Sequence, residues 1–181
     1  MIDPKVDAAP TKELQELASS IGLTPSELPD IGAPSVVKPE ARPMVKSPRR
    51  KARELALQSL YHWLLNPDDV GVIQVDILAK DAPKRYDKAF YTALFEGVVA
   101  EMPRLRDALV PFLDRPQVEV SPVEHAILLA GAYELIHFQE TPYRVIINES
   151  IELAKSFGGT DGHKYVNGVL DKLAAQVRPH G

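Results

Sequence analysis

From Ser47 to Val177 the apolar residues recur at spacings of three and four, and nowhere do they alternate between hairpin turns. That period belongs to helices with one buried face, and no other feature restricts the fold as strongly. The punctuation agrees with it. Ser47-Pro48 offers a capping hydroxyl followed by proline at the first helical position, and Asn66-Pro67 closes the segment, predicting a helix over Pro48 to Leu65. A weaker helix is expected around Val70 to Ala79. A long one starts near Lys84, with Tyr86, Phe90, Leu94 and Val98 at i+4 spacing, and Pro103 opens another reaching about Leu113. Ser121 to Glu124, "SPVE", is a capping box that starts a helix reaching about Phe138. Thr141-Pro142 begins the next, which stops at Phe157-Gly158-Gly159. Asp161 is the expected cap of a last helix over Gly162 to Val177, before Pro179. The expected class is all-α, about seven helices in one compact domain without internal repeat.

Residues 1–45 read differently. Of the 16 prolines, eight fall before Arg49; acids outnumber bases there, and aromatics are absent. Such a stretch does not bury a core, so it is expected to be a flexible, acidic, proline-rich extension, with the folded domain over residues 46–181. One island in it, "TKELQELASSIGL", sets Leu14, Leu17, Ala18 and Ile21 on one helical face; a single short helix of this kind is marginal alone. Cysteine is absent, which removes disulfides, thiolate catalysis and cysteine-based zinc sites and fits a reducing cytoplasm. No apolar run reaches the roughly 18 residues of a membrane span. The formal net charge is −4, so any attraction for a polyanion has to come from a local patch.

One such patch is "KSPRRKAREL", Lys46 to Leu55, where Arg49, Arg50, Lys51 and Arg53 crowd a helix start. The amino end of a helix carries about half a positive charge, and each cation there is unfavourable by roughly 0.3–1 kcal/mol. On a helical wheel Arg49, Arg50 and Arg53 share the face that Leu57, Leu60 and Leu64 continue, as where a helix overhangs the body it packs on. Two readings stay open: a solvated overhang with Glu54 as local counter-charge, or an arginine-rich site for an external anion such as phosphate. A second candidate is "SFGGTDGHKYVNGVLDK". Its glycines precede a helix start, His163 and Lys164 lie in the first turn, and Phe157 and Tyr165 flank it as stacking surfaces for unpaired bases. The bland alternative is a turn between two helices with both aromatics in the core.

These stretches resemble a known family. "RRKARELALQSLY" is similar to the arginine-rich amino-terminal motif of the NusB family of bacterial transcription antitermination factors. "INESIELAKSFGGTDGHKYVNGVLDK" is similar to its carboxyl-terminal signature, and "SPVEHAILLAGAYEL" matches between them. The resemblance covers Ser47 to about Pro179. It implies an all-α fold of two small packed bundles. It also implies binding of boxA-type single-stranded RNA together with NusE, the tenth small-subunit ribosomal protein, in an antitermination complex on RNA polymerase with other Nus factors during ribosomal RNA transcription. Carried over, the RNA-facing positions are Arg49, Arg50, Lys51, Arg53, Gln58, Phe157, Asp161, Lys164 and Tyr165, the last where the family often has phenylalanine. The NusE-facing positions include Tyr61 and Glu124, although Glu124 equally fits the capping box. No cofactor is implied.

Rival classes find less support. His62, His125, His137, His163 and His180 have no metal-ligand spacing, and neither a phosphate loop nor a dinucleotide fingerprint is present. Glu149 and Glu152 are three apart on a helix and read as a solvated face, so catalysis is not expected. The alternative function is a stand-alone helical RNA-binding or protein-interaction module related to the amino-terminal domain of RNA cytosine methyltransferases; no methyltransferase domain accompanies it in this chain.

Overall fold

The computed structural model describes residues 46–179. The island helix of residues 11–23 and the extension as a whole lie outside the described residues. Within them are seven α-helices, two 3₁₀ turns and no strand: α1 (Pro48–Leu65), α2 (Val70–Asp81), α3 (Lys88–Ala100), α4 (Met102–Leu109), α5 (Pro122–His137), α6 (Tyr143–Phe157) and α7 (Gly162–Val177). The 3₁₀ turns, Val110–Phe112 and Gln117–Glu119, join α4 to α5.

Helix α5 is the centre. It packs against α1 and α3 on one side and against α4, α6 and α7 on the other, so that α1–α3 and α4–α7 form two small bundles sharing it. The run Ala126 to Ala132 is buried without interruption, as expected of a helix with no solvent face. Gly131 permits the closest approach: a Cβ there would lie 2.7 Å from Leu170 Cδ1 and 3.1 Å from Ser150 Oγ, drawing α6 and α7 onto α5. The carboxyl end of α5 leaves carbonyls that its own helix does not satisfy. Arg178, just past α7, donates to the carbonyls of Leu135 (2.8 Å) and Phe138 (2.7 Å), to that of Thr141 beyond (2.6 Å), and to that of Glu134 (3.1 Å), which also accepts the Phe138 N–H.

Helices α1, α5 and α7 run where the sequence predicts. Helix α3 starts at Lys88 rather than near Lys84, because the Asp87 carboxylate accepts the Phe90 N–H at 3.0 Å and caps it, leaving Tyr86 in the preceding loop. Helix α4 ends at Leu109 and tightens into a 3₁₀ turn at Pro111, which has no N–H to continue the α-helical ladder. Thr141 does not cap α6: its hydroxyl is buried without a partner, and Pro142 stands at the cap.

A buried, doubly hydrogen-bonded charged contact ties the two bundles together. Arg53 of α1 donates from Nε and Nη2 to the two carboxylate oxygens of Glu134 on α5, at 2.8 and 2.7 Å. Both side chains are buried, at 5% and 3% exposure. The Phe90 ring of α3 lies 4.9 Å from the guanidinium carbon. Removing one partner of such a pair strands a buried charge. Glu134→Ala is therefore expected to lower unfolding free energy by about 3–5 kcal/mol, while the double change Arg53→Met with Glu134→Leu recovers most of it. Urea unfolding of the three proteins checks this; a double variant as unstable as the single would disprove it.

His125, on the first turns of α5, meets Gln117 side chain to side chain at 3.0 Å. Burial and then the nearby Arg106 charge push its imidazole down to about 4. The unfolded chain takes up that proton near pH 6.5 and the folded chain does not, so stability falls as pH drops from about 6.5 toward 4. His125→Gln should flatten the loss of stability across that window, read from unfolding free energies between pH 7 and pH 4.5.

Candidate nucleic-acid interface

The interface is built outward from the start of α1. Ser47 Oγ accepts the Arg50 N–H at 3.1 Å, Pro48 occupies the first position, and the first turn contains no acid. The arginines that follow do not overhang the body. Arg49 lies over the Phe90 ring at 5.1 Å, with Nε 3.5 Å from the Asp87 carboxylate. Arg50 Nη2 donates to Glu152 at 3.2 Å, and its Nε is 4.0 Å from Glu149. Arg53 is enclosed by Glu134 and Phe90, with Nη1 3.9 Å from Glu149.

Of the three arginines expected to project together as an RNA face, Arg53 does not project. Arg53 is a buried structural residue, because α3, α5 and α6 close over the side of α1 that carries it. Glu149 and Glu152 are not simply a solvated face either; they are counter-charges to the arginines. Lys155 and then Arg50 hold the Glu152 carboxyl below its usual range. Glu54 pairs with Lys46. Lys51, half-buried, forms no ion pair among the described residues.

Further along α1, Gln58 and Tyr61 meet Phe157 from the end of α6 and Val123 from α5 around a groove of about 190 Å³ floored by Leu57. Tyr61 and Phe157 are exposed, at 39% and 42%. Gln58 Oε1 is buried with no hydrogen-bond partner among the described residues. That oxygen has no accessible surface, so the lining the groove presents is almost wholly apolar. Residues separated by more than 90 positions are here brought to one place, and only the family resemblance had linked them.

The start of α7 differs from expectation. Asp161 stands at the cap position but makes no capping hydrogen bond. Its exposed carboxylate pairs instead with Lys164 at 3.0 Å, which holds it below the usual carboxylate range. The carboxylate facing this helix start is Glu124. Gly162 is required there, since a Cβ would collide with Glu124 Oε1. Glu124 is also bound into its own helix start: Ser121 Oγ accepts the Glu124 N–H at 3.3 Å and donates its hydroxyl to the Glu124 carboxylate.

Tyr165 does not offer an open stacking face. The Arg115 guanidinium covers its ring at 4.6 Å, and its hydroxyl is buried unpartnered. Burial and the Asp114 charge raise the phenol pKa. Arg115, Glu134 and Arg178 carry structural roles that sequence reasoning missed; nothing local in the chain marks them, since Tyr165, Arg53 and the carbonyls that Arg178 binds lie 37 to 81 residues away. Among the described residues no cluster of His, Asp or Glu is arranged to hold a metal, and no helix is long and apolar enough to cross a membrane.

The NusB family pattern matches residues 50–175. The chain belongs to the NusB family. It is 56% identical over 144 residues to the Transcription antitermination protein NusB of Ralstonia nicotianae, covering 80% of this chain and 92% of that one. NusB of T. maritima superposes with a TM-score of 0.64 at 28% identity, covering 73% of this chain and 94% of that one. The fold is also shared, at TM-score 0.63 and 22% identity, by a chain in a crystal structure of the antitermination factors NusB and NusE with double-stranded RNA, covering 70% of this chain and 96% of that one.

The Asp161–Lys164 pair gives a test of the NusB carboxyl-terminal signature. Asp161→Asn removes an exposed carboxylate that caps nothing, so thermal stability should be nearly unchanged. Lys164 is released at the same time. RNA binding should tighten at low salt and converge with the unchanged protein at high salt. Titrations at two salt concentrations read this, and identical curves at both would remove the α7 start from the RNA surface.

Proposed function

We propose that this NusB-family protein binds boxA-type RNA together with the ribosomal protein NusE. It is a transcription antitermination factor, and this reading has it act with RNA polymerase and other Nus factors in the cytoplasm, during ribosomal RNA transcription, by binding alone and without catalysis. The RNA-facing residues in this reading are Arg49, Arg50, Lys51, Gln58, Phe157, Asp161, Lys164 and Tyr165, the last through the edge of its ring. Tyr61 and Glu124 face NusE, and the binding unit is the part of the chain from residue 46.

The observation that carries the reading is the groove where Gln58, Tyr61 and Phe157 meet. An exposed phenyl ring, Phe157, supplies the stacking surface that unpaired bases use. Arg49, Arg50 and Lys51 lie upstream on the same helix, about 12 Å away at 1.5 Å per residue, which is where the phosphates of a strand seated in the groove would run. The named family role, the 56% identity to an antitermination protein and this geometry support one another.

A pull-down with and without boxA-like RNA, scored for the ribosomal protein, tests the reading. Capture should rise with boxA-like RNA and not with a scrambled strand; no dependence on RNA would contradict it. Tyr61→Asp separates the two partners. Loss of an aromatic interface anchor costs about 2 kcal/mol or more, so ribosomal-protein affinity should fall more than tenfold at any salt. RNA affinity should fall only at low salt, where the new charge repels phosphate. Equal losses persisting at high salt, with unchanged circular dichroism, would show one shared surface.

A further inference from the structure

Three cations beside the α1 start have no place in the family motif. Lys84, Arg85 and Lys88 lie in and just after the loop joining α2 to α3. All are exposed, and none pairs with a carboxylate among the described residues. The loop is fixed against α1. The Asp87 N–H donates to the Pro48 carbonyl at 3.0 Å. The Asp87 carboxylate faces Arg49 while capping α3 through the Phe90 N–H, and the Phe90 ring then lies under Arg49.

The starts of α1 and α3 therefore meet, and neither first turn holds an acid. Two positive helix ends and three unpaired side-chain cations form one patch. Asp87, the acid between the two helix starts, is already engaged three ways. The neighbouring Asp81 is at the opposite, α2 end of the loop. The contrast with the motif arginines is marked: Arg50 and Arg53 answer to Glu152, Glu149 and Glu134, whereas the loop cations form no ion pair among the described residues.

We infer that the α2–α3 loop is a phosphate-binding extension of the RNA surface, holding the backbone of the strand beyond the element whose bases enter the groove. The inference rests on the RNA-binding reading above. The groove, Lys51 and the α1 start follow one another along α1, and the loop is joined to that start by the Asp87–Pro48 hydrogen bond. Long, mobile cations on an exposed loop offer no fixed fork for a base edge. They suit charge neutralisation of a backbone, which is sequence-independent and displaced by salt.

The experiment compares the full chain with a Lys84→Ala/Arg85→Ala/Lys88→Ala variant, and with an Arg85→Glu/Lys88→Glu variant. Each is titrated with a boxA-like RNA limited to the element and with the same element extended on either side, at several salt concentrations. These side chains are exposed, so circular dichroism and thermal unfolding should be unchanged. On at least one extended RNA the alanine variant should lose affinity, with a salt slope flatter by up to about 2, at roughly 0.7 per phosphate contact. The charge-reversed variant should lose more. On the element alone all three proteins should agree.

Superposable curves on the extended RNAs overturn the inference, as does an equal loss on the short and extended strands. So does an unchanged RNA curve with a lost affinity for the ribosomal protein, which would make the loop a contact for acidic polypeptide. Should the unaltered chain fail to prefer boxA-like over scrambled RNA, the proposed function fails; the slopes on the extended strands still decide the role of the loop.

Discussion

The Arg53–Glu134 pair governs how the rest of the structure can be arranged. Taking two charges out of water costs several kcal/mol each, and only a well-formed fork of hydrogen bonds returns it. Arg53 supplies that fork to Glu134, Phe90 covers its face, and Glu149 adds a second carboxylate at longer range. The contact is satisfied only when α1, α3, α5 and α6 are all in register. The main chain of the same residue, Glu134, is held from the other side by Arg178 at the end of α7. Two guanidiniums, one from each end of the domain, therefore converge on a single turn of α5, so that errors in the packing of either bundle expose an unpaired charge.

That arrangement changes the meaning of the arginine cluster. Cations at a helix start are unfavourable, and an external phosphate is one way to offset this. The fold uses another way first. Asp87, Glu134, Glu149 and Glu152 come from three other helix segments and face the cluster in the free protein. The cost to the α1 dipole is thus met within the molecule for Arg53 and largely for Arg50. An RNA phosphate approaching Arg50 has to compete with Glu152. One approaching Arg49 competes with Asp87 across a 3.5 Å contact that is already partly open to water.

The helical class, the limits of α1, α5 and α7, and the glycine stop after Phe157 were legible because they rest on local chemistry: periodicity, capping and proline placement. The start of α3 was misplaced because Asp87 and Lys84 both precede a helical pattern, and only the geometry shows which one caps. The site was legible through family resemblance more than through physics. Gln58 and Phe157 carry no local sign that they meet. A helical wheel placed Arg53 on the correct face of α1 but did not show what lies opposite. Its partner is 81 residues away, on a helix whose sequence reads as plain core. Asp161 has the composition of a cap without the geometry, because Glu124 on another helix already occupies the space in front of α7.

The net charge of −4 gives these local arrangements their functional weight. At physiological ionic strength charges are screened over about 8 Å, so a strand at a distance meets an acidic protein and is not drawn in. Within that range it meets the α1 start, the α3 start and the adjoining loop, whose cations lie outward while the nearest carboxylates are turned inward onto arginine. A surface built this way gains little from non-specific polyanions. On the proposed function, its RNA affinity depends on a strand seated deeply enough for the groove at Gln58 and Phe157 to engage. A partner on the Tyr61 side of that groove lowers the cost of seating by covering the apolar edge that the RNA leaves exposed. The exposed Tyr61 edge of that groove and the cations of the α1 start lie on one helix, so the fold itself joins an apolar rim to a basic track.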